Sequence, residues 1–85
     1  ESVLYKGQLM NANKLLWALG RRIYRLRKLH GITQEQLSSQ AGIDRAYMGR
    51  IERGEANPSI IILYSIAKSL NISIDELVRD TNKEG

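Results

Sequence analysis

Residues 33–54, TQEQLSSQAGIDRAYMGRIERG, constrain this chain more than any other stretch, because start and stop signals for two short helices fall on either side of one glycine. Thr33 is placed to cap a helix whose third residue, Gln36, reaches back to the cap, the side-chain logic of a capping box. Leu37 and Ala41, four apart, face one way, and Gly42 follows where a left-handed backbone ends a helix without a Cβ clash. Asp44 then caps a second helix. In that helix Met48 and Ile51 share one stripe, and Tyr47 and Arg50 share an adjoining face. The second helix thus has an apolar side to bury and a cationic side to show.

Two helices of about eight residues are not stable alone, since isolated helices below about 12 to 15 residues are marginal in water. They require a scaffold. A helix pair joined by a short glycine turn, with a basic second helix, is a form that places side chains in the DNA major groove. An αα-corner in some other all-α domain has the same local spacing. Charge distribution bears on the choice. The net charge is +4, but residues 14–53 carry nine Lys and Arg against three Asp and Glu, and the remainder carries four against six. A one-sided positive field attracts polyanions.

The 85 residues suffice for one small core. With no Cys and a single His, disulfides, thiolate chemistry and a His-rich metal site are excluded. No metal site, cofactor or catalytic residue is therefore expected. No apolar run approaches the roughly 20 residues needed to cross a bilayer and no signal-peptide pattern is visible, so a cytoplasmic location and no membrane partner are expected.

Residues 1–12 show no clean period and read as an extended or frayed N-terminal arm, with Met10 available as an initiator that would leave ESVLYKGQL outside the natural chain. From about Asn13, Leu16, Leu19, Ile23 and Leu26 make a helical stripe. Arg21, Arg22, Arg25 and Lys28 form its basic flank, Trp17 is expected to anchor packing, and His30 with Gly31 closes the helix. After the central pair, Pro58 suits a first-turn position, with Asn57 or Ser59 as cap. Leu63, Ile66, Ala67 and Leu70 are the core stripe of the helix that follows, while Ile60, Ile61, Ile62 and Tyr64 widen its apolar surface beyond the needs of one core. Asn71 ends that helix. Ser73 and Glu76 repeat the capping box and open a last short helix to about Arg79, before a polar tail. The expected architecture is all-α, five helices over residues 13–80, with 81–85 as the tail.

The run from Leu19 to Val78 closely resembles the lambda-repressor-like, Cro-type helix-turn-helix family of bacterial and phage regulators. The resemblance is carried by Gly31-Ile32-Thr33-Gln34, Gly42 in the turn, Ile51-Glu52-Arg53-Gly54 and Asn57-Pro58-Ser59. Ser38 stands where the family prefers Ala, and both are small. The resemblance implies a helix-turn-helix at the second and third helices, the third entering the major groove with Arg45, Ala46, Tyr47 and Arg50 at base edges. Arg45 and Arg50 are the best base readers, because an Arg presents two donors to guanine O6 and N7. It further implies phosphate contacts from Thr33, Gln34, Arg53, Asn57 and Ser59, which hold register. It also implies a buried ion pair of Arg27 with Glu52, tying the first helix to the third. A narrower resemblance, to the controller proteins of restriction-modification systems, rests on Asp44-Arg45, Tyr47, Gly49 and the IERG run with Asn57 and Ser59.

A single module makes few contacts, whereas two joined by a two-fold axis read half-sites about 34 Å apart, so a homodimer on double-stranded DNA is expected. The excess apolar surface at Ile61, Ile62 and Tyr64, with Ile74 and Val78, is the expected interface. The leading reading is a transcriptional regulator of a palindromic operator. An antitoxin using the same module is the alternative, and an enzyme is discounted for want of a nucleophile set or phosphate-cradling loop.

Overall fold

The computed structural model describes residues 2–5 and 8–79 of the chain. Five helices follow a short hairpin: β1 (Ser2–Tyr5), β2 (Gln8–Asn11), α1 (Ala12–Leu29), α2 (Gln34–Ala41), α3 (Arg45–Glu52), α4 (Ile60–Ser69) and α5 (Ile74–Val78). Each helix begins where a side-chain oxygen satisfies backbone N–H groups that have no intrahelical partner. Asn11 accepts from Asn13 and Lys14, Asp44 from Ala46 and Tyr47, and Ser59 from Ile62. Both expected capping boxes are formed, Thr33 with Gln36 and Ser73 with Glu76. Stops are equally local. Gly42 takes φ 72° after α2, and Asn71 takes φ 58° after α4.

The helices close on a single cluster. Ile23 of α1, Leu37 of α2, Met48 and Ile51 of α3, Ile66 of α4, Leu70 at its C-terminus and Leu77 of α5 are fully buried. Burying each such side chain contributes about 1.5–3 kcal/mol. Because all five helices supply members, no helix pair can leave without opening the core. Ser38 sits inside it and donates its hydroxyl to the Glu35 carbonyl at 3.0 Å, so the polar atom is satisfied within its own turn.

Three expectations need correction. The arm read as extended or frayed contains an antiparallel ladder, in which Ser2, Val3, Leu4 and Tyr5 face Asn11, Met10, Leu9 and Gln8. Strands of four residues with adjacent apolar pairs do not display a period of two, and the pairing exists only once the two segments meet. Trp17 is no buried anchor, being 43% exposed. What packs at that turn of α1 is its backbone: a Cβ on Gly54, which has φ 74°, would lie 2.7 Å from the Trp17 Cα. Pro58 precedes the α4 cap instead of starting the helix; Ser59 is the cap and Pro58 is buried ahead of it. The polar tail falls outside the described residues.

Gly20 lets α1 cross close over the end of α3. A Cβ there would lie 2.4 Å from the Ile51 carbonyl oxygen and 2.6 Å from that of Glu52. Both neighbours are backbone, so neither can rotate aside. Gly20→Ala is expected to destabilise the protein by about 1–3 kcal/mol, the cost of overpacking, despite the better helix propensity of Ala; urea unfolding at constant m-value measures it.

Candidate nucleic-acid interface

The site is built outward from one buried ion pair. Arg27 of α1 donates from Nε to Glu52 Oε2 at 2.7 Å and from Nη2 to Glu52 Oε1 at 3.0 Å, the parallel two-point geometry of a guanidinium on a carboxylate. Its Nη1 donates to the Ile32 carbonyl at 2.9 Å, so the fork is used from both sides. Gln34, the first residue of α2, adds its Nε2 to Glu52 Oε1 at 2.9 Å. One carboxylate at the end of α3 thereby holds α1 and the start of α2, and Arg27 in turn holds the loop between them. Arg27 and Glu52 are 7% and 6% exposed, so solvent does not compete for these bonds.

With Met48, Gly49, Ile51 and Glu52 buried, α3 presents its remaining residues at or toward the surface. Arg45, Ala46 and Arg50 are exposed, and Tyr47 is half-buried against the core. Arg50 is held in place: its Nη2 donates to the Glu55 carbonyl at 3.2 Å, and its guanidinium carbon stands 6.0 Å from the Tyr47 ring centroid. The four residues are thus on one helix but not in one state. Arg45 and Ala46 project from the first turn, Tyr47 is wedged, and Arg50 is braced by the following loop.

Around α3 lie the polar positions implied by the family resemblance. Thr33 caps α2 and spends its hydroxyl there, and the Gln34 amide is turned inward onto Glu52; what α2 offers outward is its N-terminus. A notch of about 330 Å³ opens at that point, lined by Arg27, Lys28, Gly31, Ile32, Thr33, Gln34 and Arg45. It joins the end of α1 to the starts of α2 and α3 and carries cations on its rim. Arg53 pairs with Glu55 at 3.2 Å in the open and passes over Gly49, where an added Cβ would lie 3.1 Å from its Nη1. Asn57 is exposed, and Ser59 is committed to capping α4. Lys28, in the notch wall, was not among the residues picked from sequence. Its place in the basic flank was visible, but its approach to Arg45 depends on how α1 and α3 pack.

The apolar positions are elsewhere. Ile61 and Tyr64 on α4 are 73% and 57% exposed and Val78 on α5 is exposed, whereas Ile62 and Ile74 are half-buried against the core. Exposed Ile60 extends the same helix face and was not in the expected interface set. Among the described residues no group of His, Cys, Asp and Glu is arranged to hold a metal ion, and no helix is long and apolar enough to cross a membrane.

Breaking the ion pair tests its structural role. Arg27→Met leaves Glu52 buried and uncompensated and is expected to cost about 3–5 kcal/mol, while replacing both partners, Arg27→Met with Glu52→Leu, costs less than either single change. A double-mutant cycle by chemical denaturation measures both.

Comparison with known proteins places this geometry. The sequence profile described as helix-turn-helix matches residues 23–77, from the middle of α1 through α5. The HTH-type transcriptional regulator y4dJ of Sinorhizobium fredii is 38% identical over 74 residues, covering 87% of this chain and 92% of that protein. Among solved structures, the restriction-modification controller protein C.AhdI from Aeromonas hydrophila is 39% identical with a TM-score of 0.72, covering 73% of this chain and 94% of that one. SinR, a master regulator for biofilm formation solved in complex with DNA, is 34% identical with a TM-score of 0.67, covering 71% of this chain and 97% of that one. The match spans the capped pair, the buried bridge and both flanking helices, and on it this chain belongs to the helix-turn-helix family.

Proposed function

We propose that this protein is a transcriptional regulator that binds double-stranded DNA as a homodimer and reads a palindromic operator through α3. One observation carries the reading. Two arginines, Arg45 and Arg50, stand exposed on a helix whose opposite face is pinned to the core and to a buried ion pair. A guanidinium on a rigid helix keeps its two donors aimed, and each two-point contact to guanine is worth about 1–3 kcal/mol of discrimination. Ala46 and Tyr47 complete the base-facing set. Phosphates are met by the N-terminus of α2 at Thr33 and Gln34, and by Arg53, Asn57 and Ser59 past the end of α3. The DNA-bound relative SinR and the controller C.AhdI support this reading, and the likeness to C.AhdI supports the narrower one, a controller of a restriction-modification system.

The homodimer contact in this reading is the exposed apolar face of α4 and α5, with Ile61, Tyr64 and Val78 at its centre and Ile62 and Ile74 at its base. Scattered apolar residues are ordinary on a surface, but these are carried by two helices that pack on each other.

Selection of bound sequences from a random duplex pool at stated salt should return a two-fold-symmetric site. On that site Arg45→Ala with Arg50→Ala is expected to erase preference over scrambled duplex while leaving weak, salt-sensitive binding; preference surviving both changes overturns the assignment of α3. Separately, Ile61→Asp should sediment as a monomer in ultracentrifugation at concentrations where the unmodified protein is dimeric, and an unchanged dimer moves the contact elsewhere.

A further inference from the structure

We propose that Arg21, Tyr24 and Lys28, along the outer face of α1, form a second phosphate-binding strip that grips the DNA backbone beside the contacts made at the starts of α2 and α3. The proposal deepens the DNA-binding reading and rests on it. The three residues are spaced three and four apart and so lie on one helix face, with the outer two about 10 Å apart along the axis. The Arg21 guanidinium carbon stands 4.8 Å from the Tyr24 ring centroid, that of the buried Arg27 5.3 Å and the Lys28 Nζ 6.0 Å, so one aromatic ring ties the two outer cations to the ion-paired Arg27. Bracing limits the rotamer freedom that a long cationic side chain loses on binding a phosphate.

The rest of α1 shows why this face is the available one. The helix contains no Asp or Glu to neutralise it. Arg27 is committed to Glu52, and Arg22 donates from Nη2 to the Glu76 carbonyl at 2.7 Å, which turns it toward α5. Arg21 and Lys28 lie on neither of those faces.

Continuity selects DNA as the occupant. Lys28 lines the notch that it shares with Thr33, Gln34 and Arg45, and it also lines a groove of about 420 Å³ bounded by Tyr24, Arg25 and Leu29. Lys28 therefore joins the notch at the first turn of α3 to the outer face of α1, where the groove itself is mainly apolar and Arg21 lies one turn beyond Tyr24. A polyanion seated at the notch meets the strip next, whereas an acidic protein segment would have to displace or abut it.

The test is the salt dependence of binding, because each lost phosphate contact makes the slope of log affinity against log salt shallower by about 0.9. Fluorescence anisotropy on the selected duplex should give a slope shallower by about 0.9 for Arg21→Gln and about 1.8 for Arg21→Gln with Lys28→Gln. The ratio of operator to scrambled affinity should stay unchanged. Arg21→Lys should restore the slope, since a phosphate accepts a point charge, whereas a purely structural role through stacking on Tyr24 favours the planar guanidinium. Circular dichroism melts check the fold, and if the double variant is unstable the single variants carry the same test at about 0.9 each. An unchanged slope overturns the strip and leaves the face to a protein partner or solvent. A shallower slope with lost operator preference also overturns it, because a backbone strip reads no sequence. The slope reports on α1 and the preference ratio on α3, so failure of one reading is distinguishable from failure of the other.

Discussion

The buried bridge between Arg27 and Glu52 is the interaction on which the arrangement of the exposed cationic surface around α3 depends. It joins residues 25 apart in sequence, and its carboxylate also receives Gln34. A buried ion pair is poor evidence of net stability, since desolvation offsets most of the attraction. Its use here is positional. Helices α2 and α3 have eight residues each, too short to persist alone, and the bridge fixes the end of one against the start of the other and both against the 18-residue α1. Remove one partner and the uncompensated charge opposes the packing that holds the exposed face in register.

The same helix therefore carries two chemistries on opposite sides. Inward, Met48 and Ile51 give α3 its share of the core, and Glu52 ends it in a hydrogen-bonded anchor. Outward, Arg45 extends from the first turn and Arg50 is braced by the Glu55 carbonyl and the Tyr47 ring. Glu55 also pairs with Arg53, so a single loop residue restrains two of the cations at the end of α3. Such restraint matters because exposed charges are screened beyond about 8 Å at physiological salt. Long-range attraction comes from the whole positive face, whereas short-range contacts in the proposed reading depend on groups already held in place.

How much of this was readable before folding follows from the range of each interaction. Capping boxes at Thr33 and Ser73 and the Asp44 cap join residues two or three apart, so spacing alone reveals them. The Arg27 and Glu52 pair was reached only through family resemblance, because nothing local marks two residues so far apart as partners. Trp17 misled for the opposite reason: its size suggested burial, yet the contact at that turn is its backbone against Gly54. The Gln34 side chain likewise reads as a surface donor at a helix start until the carboxylate of Glu52 is seen beside it.

The amino-acid order by itself determined the caps that begin α2, α3 and α5, the core stripe of each longer helix, and that positive charge gathers over residues 14–53. Those properties are set by hydrogen bonds and side-chain periodicities that span one or two turns. Only the tertiary structure decided that Gly20 admits the end of α3, that residues 2–5 pair with residues 8–11, and that Lys28 and Arg45 share one notch. Each of these is a distance between segments remote along the chain, and such distances come into being when the apolar faces close on a common core.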